Sequence, residues 1–387
     1  MSSGARVTSY LISETTPGLT PDTGAWDTLR LTSNTLSPTV NTQISDEITE
    51  SRISQGSVAS SADIQGDLVG ELSYSTFDKL LEAAFYGTWD DDVLTVGSTR
   101  RTFTVAKNFN DVNVYALFKG MHVSVFALDI PSDGKITATF TMAGLDYADG
   151  DTNTVASISQ PTTTPFMSNQ NVGSITVDGQ SLEGQACVSA LTVNLDNSLQ
   201  AQRCIGNGKL GPGAQIATEA AITGSITLAW SPLAWQIWKN TFTRKTVAVE
   251  FPIIDSLGNR YDLSFPALEV DGDLPNGGKR DLIEVTLNYT VAKQAPTITR
   301  VPFVPVSSVS VAPTTASIAV AATRQLTASA LPSGAAQNVT WSSSAPSIAT
   351  VSSSGLVTAV AVGSAVITAT SVSDPTKTAT SAITVTA

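Results

Sequence analysis

The chain is poor in the residue types on which many catalytic and metal-binding sites depend. Its 387 residues include one histidine, His122, and two cysteines, Cys187 and Cys204. A histidine-based metal site or catalytic triad therefore needs residues that the sequence lacks, and two cysteines do not make a disulfide scaffold. We expect His122, which alternates with valines, to be structural. Both cysteines are expected to be reduced, with a late-forming bridge between them as the alternative.

Long apolar runs are also missing. No stretch reaches the roughly 18 consecutive apolar residues typical of a membrane-spanning helix, so no membrane insertion is expected. The start, MSSGARVTSYLISETTPG, has neither a basic segment nor an apolar core. We therefore expect no signal peptide and a protein made in a cytoplasm.

Charged residues are scarce, at 14% of the chain, and they are unevenly distributed. The net charge is −12, and from Val301 onward only Arg324, Asp374 and Lys377 are charged, a balance of +1 that leaves −13 for the preceding residues. Sequence-specific recognition of nucleic acid depends on clustered lysines and arginines. The acidic first part of the chain argues against such recognition, although an acidic wall can repel nucleic acid.

Short alternating runs rich in Ser, Thr, Ala, Val and Gly are abundant, and they predict a mainly β protein. Two Pro-rich stretches divide the chain. We expect a first domain at 1–160, a second at 166–293, a linker at 294–306 and a third domain at 307–387.

The first two domains resemble copies of one unit. Each has a strand, a long polar loop, an alternating strand, a short helix and two further alternating strands. The helices follow Ser75 and Ser231, which are predicted to be N-caps because a serine hydroxyl can accept from a free helical N–H. The long loops are Ser37–Asp63 and Ser198–Thr218.

Three patterns that imitate functional sites have simpler explanations. The glycines in 206–213 are not followed by a helix, as a dinucleotide-binding loop requires, so a flexible loop tip is expected. The acidic runs 90–92 and 271–273 lack calcium-loop spacing, and solvated turns are expected. No nucleophile elbow is present, and no aromatic-rich cleft accompanies any pair of carboxylates. We expect no catalytic, cofactor or metal site, and no enzyme.

The C-terminal segment resembles the bacterial Ig-like group 2 family over about 306–387. The resemblance is carried by VTWSS at 339–343, IATV at 348–351, GLVTA at 355–359 and GSAVITA at 363–369. It implies a β-sandwich in which Trp341 fills the core between the sheets.

Residues 1–300 resemble the tail tube proteins of long-tailed phages, in a form with a duplicated tube domain. The resemblance is carried by the repeated strand, loop, strand and serine-started helix and by the acidic composition. It implies two tandem antiparallel β-sandwich or barrel tail-tube domains, each with one short α-helix. Three chains would then close a pseudo-sixfold ring, and rings would stack helically into a non-contractile tail tube.

The tail tube resemblance also implies partners and contact residues. The partners are other copies of the chain, the tape measure protein and viral DNA in the lumen without sequence-specific binding, and the tail tip and terminator proteins. The Ig-like domain is expected to reach host cell-surface glycans. The residues expected at contacts between rings lie in the two long loops: Ser37, Asp46, Glu47, Glu50, Arg52, Asp63, Ser198, Arg203 and Lys209.

Other functions fit parts of the same pattern. A bacterial surface adhesin also carries Ig-like domains, but usually with a signal peptide, an anchor and several Ig-like copies. A carbohydrate-active enzyme with an Ig-like accessory domain is another alternative. Within the virion, a major capsid or decoration protein is the runner-up, although the absence of a long predicted helix argues against capsid folds. The expectation is a tube subunit in the virion tail, assembled in the host cytoplasm.

Overall fold

A computed structural model describes residues 7–48, 53, 56–206 and 208–387. The chain divides into two compact units, Met1–Val301 and Pro302–Ala387. Each unit has an apolar core of its own. The first unit is considered in two halves, residues 7–160 and residues 166–301.

Strands dominate the first unit. In its first half they are β1 (Val7–Glu14), β2 (Trp26–Thr28), β3 (Ser33–Asn34), β4 (Ser37–Ile44), β5 (Ser57–Glu71), β6 (Val93–Thr95), β7 (Thr102–Phe109), β8 (Val114–Pro131), β9 (Thr137–Ala143), β10 (Asp146–Gly150) and β11 (Ile158–Ser159). In its second half they are β12 (Thr176–Val177), β13 (Gln180–Ser181), β14 (Val188–Asp196), β15 (Gln200–Gln202), β16 (Ala214–Ile216), β17 (Ala221–Ala229), β18 (Val247–Ile254), β19 (Arg260–Asp271), β20 (Glu284–Val291) and β21 (Thr297–Val301). The helices are α1 (Asp78–Phe85), α2 (Pro232–Trp238) and α3 (Asn240–Thr243), with a 3₁₀ turn at Asn169–Asn171.

The two halves arrange five strands in the same order. In the first half the order is β4-β5-β9-β8-β7, and every neighbouring pair is antiparallel. In the second half the order is β14-β17-β20-β19-β18, again antiparallel throughout. A helix follows the second strand in each half, α1 after β5 and α2 after β17. Alternating burial along these strands places one face of each sheet on the core.

The halves are joined by direct pairing between β8 and β14. Val125–Pro131 runs antiparallel to Ala190–Asp196, with Leu128 opposite Val193. Both of these side chains are buried, and Leu128 is only 3% exposed. A fully buried Leu or Val stabilises by roughly 1.5–3 kcal/mol, so this joint belongs to the core of the unit.

The serines before the two helices behave differently. Ser231 caps α2, because its Oγ accepts a hydrogen bond from the N–H of Ala234 at 3.1 Å. The cap predicted at Ser75 is wrong, since α1 begins after Phe77 without a side-chain cap. Ser75 adopts a φ of 62°, and its N–H donates to Tyr261 Oη at 2.8 Å. This contact with the second half holds the backbone out of the helix.

The two segments predicted to be long loops contain strands. In Ser37–Asp63, β4 pairs with β5 to form a hairpin. In Ser198–Thr218, β15 pairs with β16 to form a second, short hairpin. Most of β4 is polar and exposed, so it lacks the apolar alternation by which strands are recognised in a sequence.

The Pro-rich stretches are held in place by the first unit. The segment 294–306 is only partly a linker, because β21 lies within it, pairs with β19 and β6, and buries Ile298. The spacer at 160–165 has no strand, but Arg30 Nη1 donates to the carbonyls of Thr162 at 3.2 Å and Thr164 at 2.7 Å. Neither stretch is a free tether along its whole length.

The second unit is built from three small sheets. Its strands are β22 (Ser308–Ala312), β23 (Thr315–Ala319), β24 (Thr323–Gln325), β25 (Thr327–Leu331), β26 (Val339–Ser343), β27 (Ala349–Val351), β28 (Leu356–Ala359), β29 (Gly363–Ser371) and β30 (Thr378–Thr386). They form the sheets β22-β25, β23-β30-β29-β26 and β24-β28-β27.

Trp341 packs against the core of the second unit but is not enclosed by it. It lies on β26 opposite Ala369 and is half-buried. A Cβ added at Gly355, whose φ is 83°, would lie 2.9 Å from the indole. The glycine therefore lets the ring lie close to the backbone. We predicted from the sequence that Trp341 fills the core, but the ring lies at the border of the core.

Candidate assembly surfaces

The β4–β5 hairpin, here called the arm, has apolar side chains that are exposed to solvent. Val40, Ile44 and Val58 are 50%, 64% and 69% exposed. An isolated two-stranded hairpin is marginally stable, and exposed apolar side chains on it favour burial against another surface. Asp46 and Glu47 follow β4 and are exposed. Glu50 and Arg52, also predicted as contacts between rings, lie outside the described residues.

The base of the arm is bound by the 198–218 segment of the same chain. The N–H of Ala62 donates to the carbonyl of Leu210 at 2.8 Å. The Arg203 guanidinium donates to the Asp63 carboxylate and to the Ala62 carbonyl. Lys209 Nζ bonds Asp146 Oδ2 at 2.7 Å. The structure thus brings three predicted contact residues to the arm base, in contacts within one chain.

The remaining predicted loop residues lie at the ends of strands. Ser37 begins β4 and is exposed. Ser198 follows β14 in a turn with a φ of 47°, and its N–H donates to Asp196 Oδ1 at 2.7 Å. Ser198 therefore has a local structural role, whereas Ser37 is an exposed residue at the start of a strand.

Among the described residues, no strand pairs with the outer edge of β3, which is covered by side chains. The N–H of Thr35 donates to Asp67 of β5, so the peptide groups of Asn34 and Leu36 point to the opposite edge. Lys107 Nζ donates to the carbonyls of Asn34 at 2.8 Å and Leu36 at 3.2 Å. Burial lowers the pKa of Lys107. Asn34 Oδ1 accepts from the N–H of Leu36 at 3.0 Å.

A polar cluster ties the first helix to the second half of the unit. Asp78 Oδ1 accepts from Tyr261 Oη at 2.6 Å, and Asp78 Oδ2 bonds Arg300 Nη1 at 2.5 Å. Arg300 also bonds Asp92, and its guanidinium lies 4.2 Å from the centre of the Trp89 ring. Burial and the Asp78 carboxylate raise the pKa of Tyr261 well above its usual value. Since the tyrosine and arginine come from β19 and β21, the cluster fixes the two halves together.

The most reactive side chains elsewhere in the unit are the histidine and the two cysteines, and none of them belongs to a described catalytic or metal-binding group. His122 is buried, its Nδ1 lies 2.9 Å from the Gly120 carbonyl, and burial lowers its pKa. Cys187 and Cys204 are free and exposed. Among the described residues, no three His, Cys, Asp or Glu side chains are grouped to hold a metal ion. Within the same residues, no helix has the length and apolar character to cross a membrane.

Comparison with known families identifies the larger part of the chain. The family model described as phage tail tube protein matches residues 4–291. The chain belongs to the phage tail tube protein family. A tail tube protein is a structural component of the virion tail that assembles with copies of itself into a tube, so the family is one of structural proteins and not of enzymes.

The C-terminal part of this tail tube protein matches a second family. The bacterial Ig-like domain (group 2) model matches residues 305–381. No curated protein matches the chain. Among solved structures, the chain is similar to "invasin: a bacterial integrin-binding protein", with 12% identity, coverage of 83% of this chain and 79% of that chain, and a TM-score of 0.15. A score this low carries no argument about fold or function.

Sequence reasoning missed two features of the tail tube unit. One is the side-chain cover on β3, for which the only signal is a lysine within the largely apolar strand TFTVAKNF. The other is the Asp78 cluster, whose members are up to 222 positions apart in the sequence. Neither is encoded in a contiguous motif.

Proposed function

We propose that this chain is the subunit of the DNA-conducting tube of a long non-contractile phage tail, and that three chains close each ring. The observation that carries the proposal is the repeated strand order, β4-β5-β9-β8-β7 and β14-β17-β20-β19-β18, with the two halves joined edge to edge by β8 and β14. Each half, with domain bounds near 1–160 and 166–293, supplies one tube domain. Three chains then give six such domains around a lumen.

Ring closure has a physical reason. A sheet that ends in an unpaired edge can pair with any other strand, and closing the sheet on itself removes that hazard. Each chain presents one edge of its first half and one of its second half. Head-to-tail contacts between unlike edges generate either a ring or an open filament, depending on the rotation between copies.

Stacking of rings is assigned to the β4–β5 arm. Its exposed Val40 and Ile44 are candidates for burial on a neighbouring ring. The Arg203 and Asp63 contact at its base then sets the direction in which the arm projects. The 198–218 segment supports the arm and adds its own exposed residues to the contact.

The other partners follow from the tube. The tape measure protein and then viral DNA occupy the lumen without sequence-specific contacts, because the acidic first part of the chain repels phosphates. Tail tip and terminator proteins cap the two ends. The Ig-like unit is displayed outside the tube, where many copies make weak contacts with host-surface glycans effective, and it is dispensable for assembly.

Electron microscopy of native particles and of the purified chain tests this function. We expect tubes of stacked rings, each with the mass of three chains and with external densities at the ring repeat. Rings of six chains would overturn the two-domain arrangement but leave the tube. A chain that stays monomeric in all conditions and is absent from the tails of lysate particles would overturn the tube function itself.

Arm stacking has a matched pair of variants. Ile44→Asp places a charge in the proposed contact and should abolish long tubes while ring-sized complexes remain in sedimentation. Gln43→Asp changes the adjacent residue on the other face of β4 and should assemble like the wild type. Equal assembly by both variants would exclude this face of the arm from the stacking contact.

A further inference from the structure

The β8–β9 hairpin of the first half corresponds to the β19–β20 hairpin of the second half. The first hairpin has β14 beside it, whereas among the described residues no strand lies at the same place beside the second. The strands before the two helices, β5 and β17, give equivalent reference points. Thr137 lies opposite Glu71, the last residue of β5, and Glu284 lies opposite Ala229, the last residue of β17. Asp129 faces Thr137 in the first hairpin. Continuing the β19–β20 register places Pro275 opposite Glu284, so Leu274 occupies the position that Leu128 has in β8.

The same alignment relates β14 to the strand around β3. Leu191 pairs with Ile226, three residues before Ala229. Three residues before Glu71 is Leu68, which pairs with Asn34. Asn34 and Leu36 therefore occupy the places of Leu191 and Val193, two of the alternate residues of β14 whose peptide groups face β8.

Each half has one counterpart position with no described strand beside it. Leu128 is opposite Val193 and buried, whereas Leu274 is 54% exposed and belongs to no described strand. Likewise, β14 has a strand along its outer edge, whereas among the described residues the outer edge of β3 is covered by the Lys107 ammonium and by the Asn34 side chain, which also donates to Ser9 Oγ at 2.9 Å. Lys107 belongs to β7, which pairs with β1 and β8, so its ammonium covers the edge of β3 from another strand. Covering an edge protects it against uncontrolled strand pairing.

We propose that the segment Asp271–Gly277 of one chain adds as an antiparallel strand to the outer edge of Ser33–Thr39 of the next chain, with Leu274 opposite Leu36. The strand displaces the Lys107 ammonium and the Asn34 side chain from the edge. The partner is thus a second copy of this chain. This joint rests on the proposed tube function and specifies how its rings close.

The residues from Asp273 to Gly277 suit this pairing, whereas Gly272 would face Pro38, which has no N–H to donate. In the proposed register Leu274 and Asn276 exchange backbone hydrogen bonds with Leu36 and Asn34, as Leu128 and Ile130 are placed to do with Val193 and Leu191. Pro275 falls between them, so its missing N–H points away from the neighbouring chain. In the proposed joint Asn276 faces Asn34, whereas at the same place in the joint within the chain Ile130 faces Leu191. Because the first pair is polar and the second apolar, the joint between chains is the weaker of the two.

Cysteine cross-linking between chains tests the register. Ser37 and Asp273 are opposite each other in the proposed joint, at a position without mutual hydrogen bonds, where side chains are closest. The variant carries Ser37→Cys and Asp273→Cys, with Cys187→Ser and Cys204→Ser to remove the native thiols. After assembly and mild oxidation, denaturing gels should show covalent dimers and trimers but no larger species.

A shifted pair is the matched control. Ser37→Cys with Asp271→Cys, in the same background, places the thiols on diagonal residues about 7–8 Å apart, beyond ordinary disulfide reach. Tubes that form without cross-links at 37 and 273, or with equal cross-links in the control, would overturn the joint and leave the tube function standing. If the wild-type chain forms no tubes, the tube function fails and the joint with it.

A second measurement applies even where the cysteine variants do not assemble. Lys107→Met removes the ammonium that covers the edge carbonyls of Asn34 and Leu36. We expect tubes to form at a protein concentration about tenfold lower, the equivalent of one hydrogen bond of about 1.4 kcal/mol. Assembly at the wild-type concentration or above would contradict displacement of Lys107 from the joint.

Discussion

The hairpins β8–β9 and β19–β20 have corresponding positions in the two halves of the tube unit but different surroundings. The first is flanked by β14 and keeps strand pairing from His122 to Asp129, with a bulge between Val123 and Val125. The second keeps its pairing only to Asp271, and the residues from Gly272 to Ile283 form no described strand. The shorter pairing of the second hairpin coincides with two differences: it has no flanking strand in the described residues, and it carries Pro275, Gly277 and Gly278, which weaken strands.

The largest expected effect separates the two leucines in these hairpins. Leu128→Ala should lower the free energy of unfolding by about 2–5 kcal/mol, because it leaves a cavity in the joint between the halves. Leu274→Ala should change it by less than about 0.5 kcal/mol, because the side chain is largely exposed in the single chain. Urea unfolding of both variants as monomers provides the measurement. Equal losses would show that the two positions do not differ as described.

The Asp78 cluster provides a second comparison between the halves. Asp78→Ala should destabilise the first unit by about 1.5–3 kcal/mol, because it removes the half-buried acceptor that Tyr261 and Arg300 share and leaves Arg300 with Asp92. Asp92→Ala removes the more exposed partner of the same arginine and should cost less than about 1 kcal/mol. Thermal unfolding of the two variants measures the difference. A larger loss for Asp92 would reverse the assignment of the central acceptor.

His122 in the first hairpin predicts a pH dependence. Burial lowers its folded pKa below the unfolded value near 6.5, so the unfolded chain takes up the proton first as the pH falls. The contribution is fully present above the unfolded pKa and is lost as the pH falls through the folded pKa, with a slope of at most about 1.4 kcal/mol per pH unit. His122→Gln should remove this pH dependence of the free energy of unfolding between about pH 7 and pH 5, on either side of the unfolded pKa. If the pH dependence of the free energy of unfolding is unchanged in the variant, it arises from carboxylates and not from His122.

The smallest expected effect compares the two serines that precede helices. Ser231→Ala should cost about 1 kcal/mol through loss of the α2 cap. Ser75→Gly should be neutral or slightly stabilising, because the native φ of 62° favours glycine and no cap is lost. Denaturant midpoints of the two variants measure both effects. A loss at Ser75 as large as that at Ser231 would mean that its hydroxyl has a role beyond the backbone.

The sequence predicted the parts of the fold that rest on local pattern. The alternating strands predicted after each helix are present, as β8 and β9 in the first half and β19 and β20 in the second, and the serine before Pro232 was correctly predicted as a cap. The prediction failed where polar strands lack an apolar face, as in β4. It also failed where a distant residue takes over a local role, as Tyr261 does at Ser75.

The contact residues were only partly accessible from sequence. Loop position indicated the region of Asp63 and Arg203, but not that they bind each other across 140 positions of one chain. The edge cover by Lys107 was not predicted at all, because an edge exists only once strands have been ordered into a sheet. Residues that act through such an edge carry no motif of their own.

By itself, the sequence determined that this is a mainly β, acidic chain with an Ig-like C-terminal unit and the pattern of a tail tube protein, since strand alternation, capping and charge are properties of neighbouring residues. Only the tertiary structure decided that β8 and β14 join the halves, that Asp78 fixes them together, and that the outer edge of β3 and the described residues after Asp271 have no strand beside them. Those outcomes depend on which strands meet in space, and contacts between residues far apart in the chain fix that order.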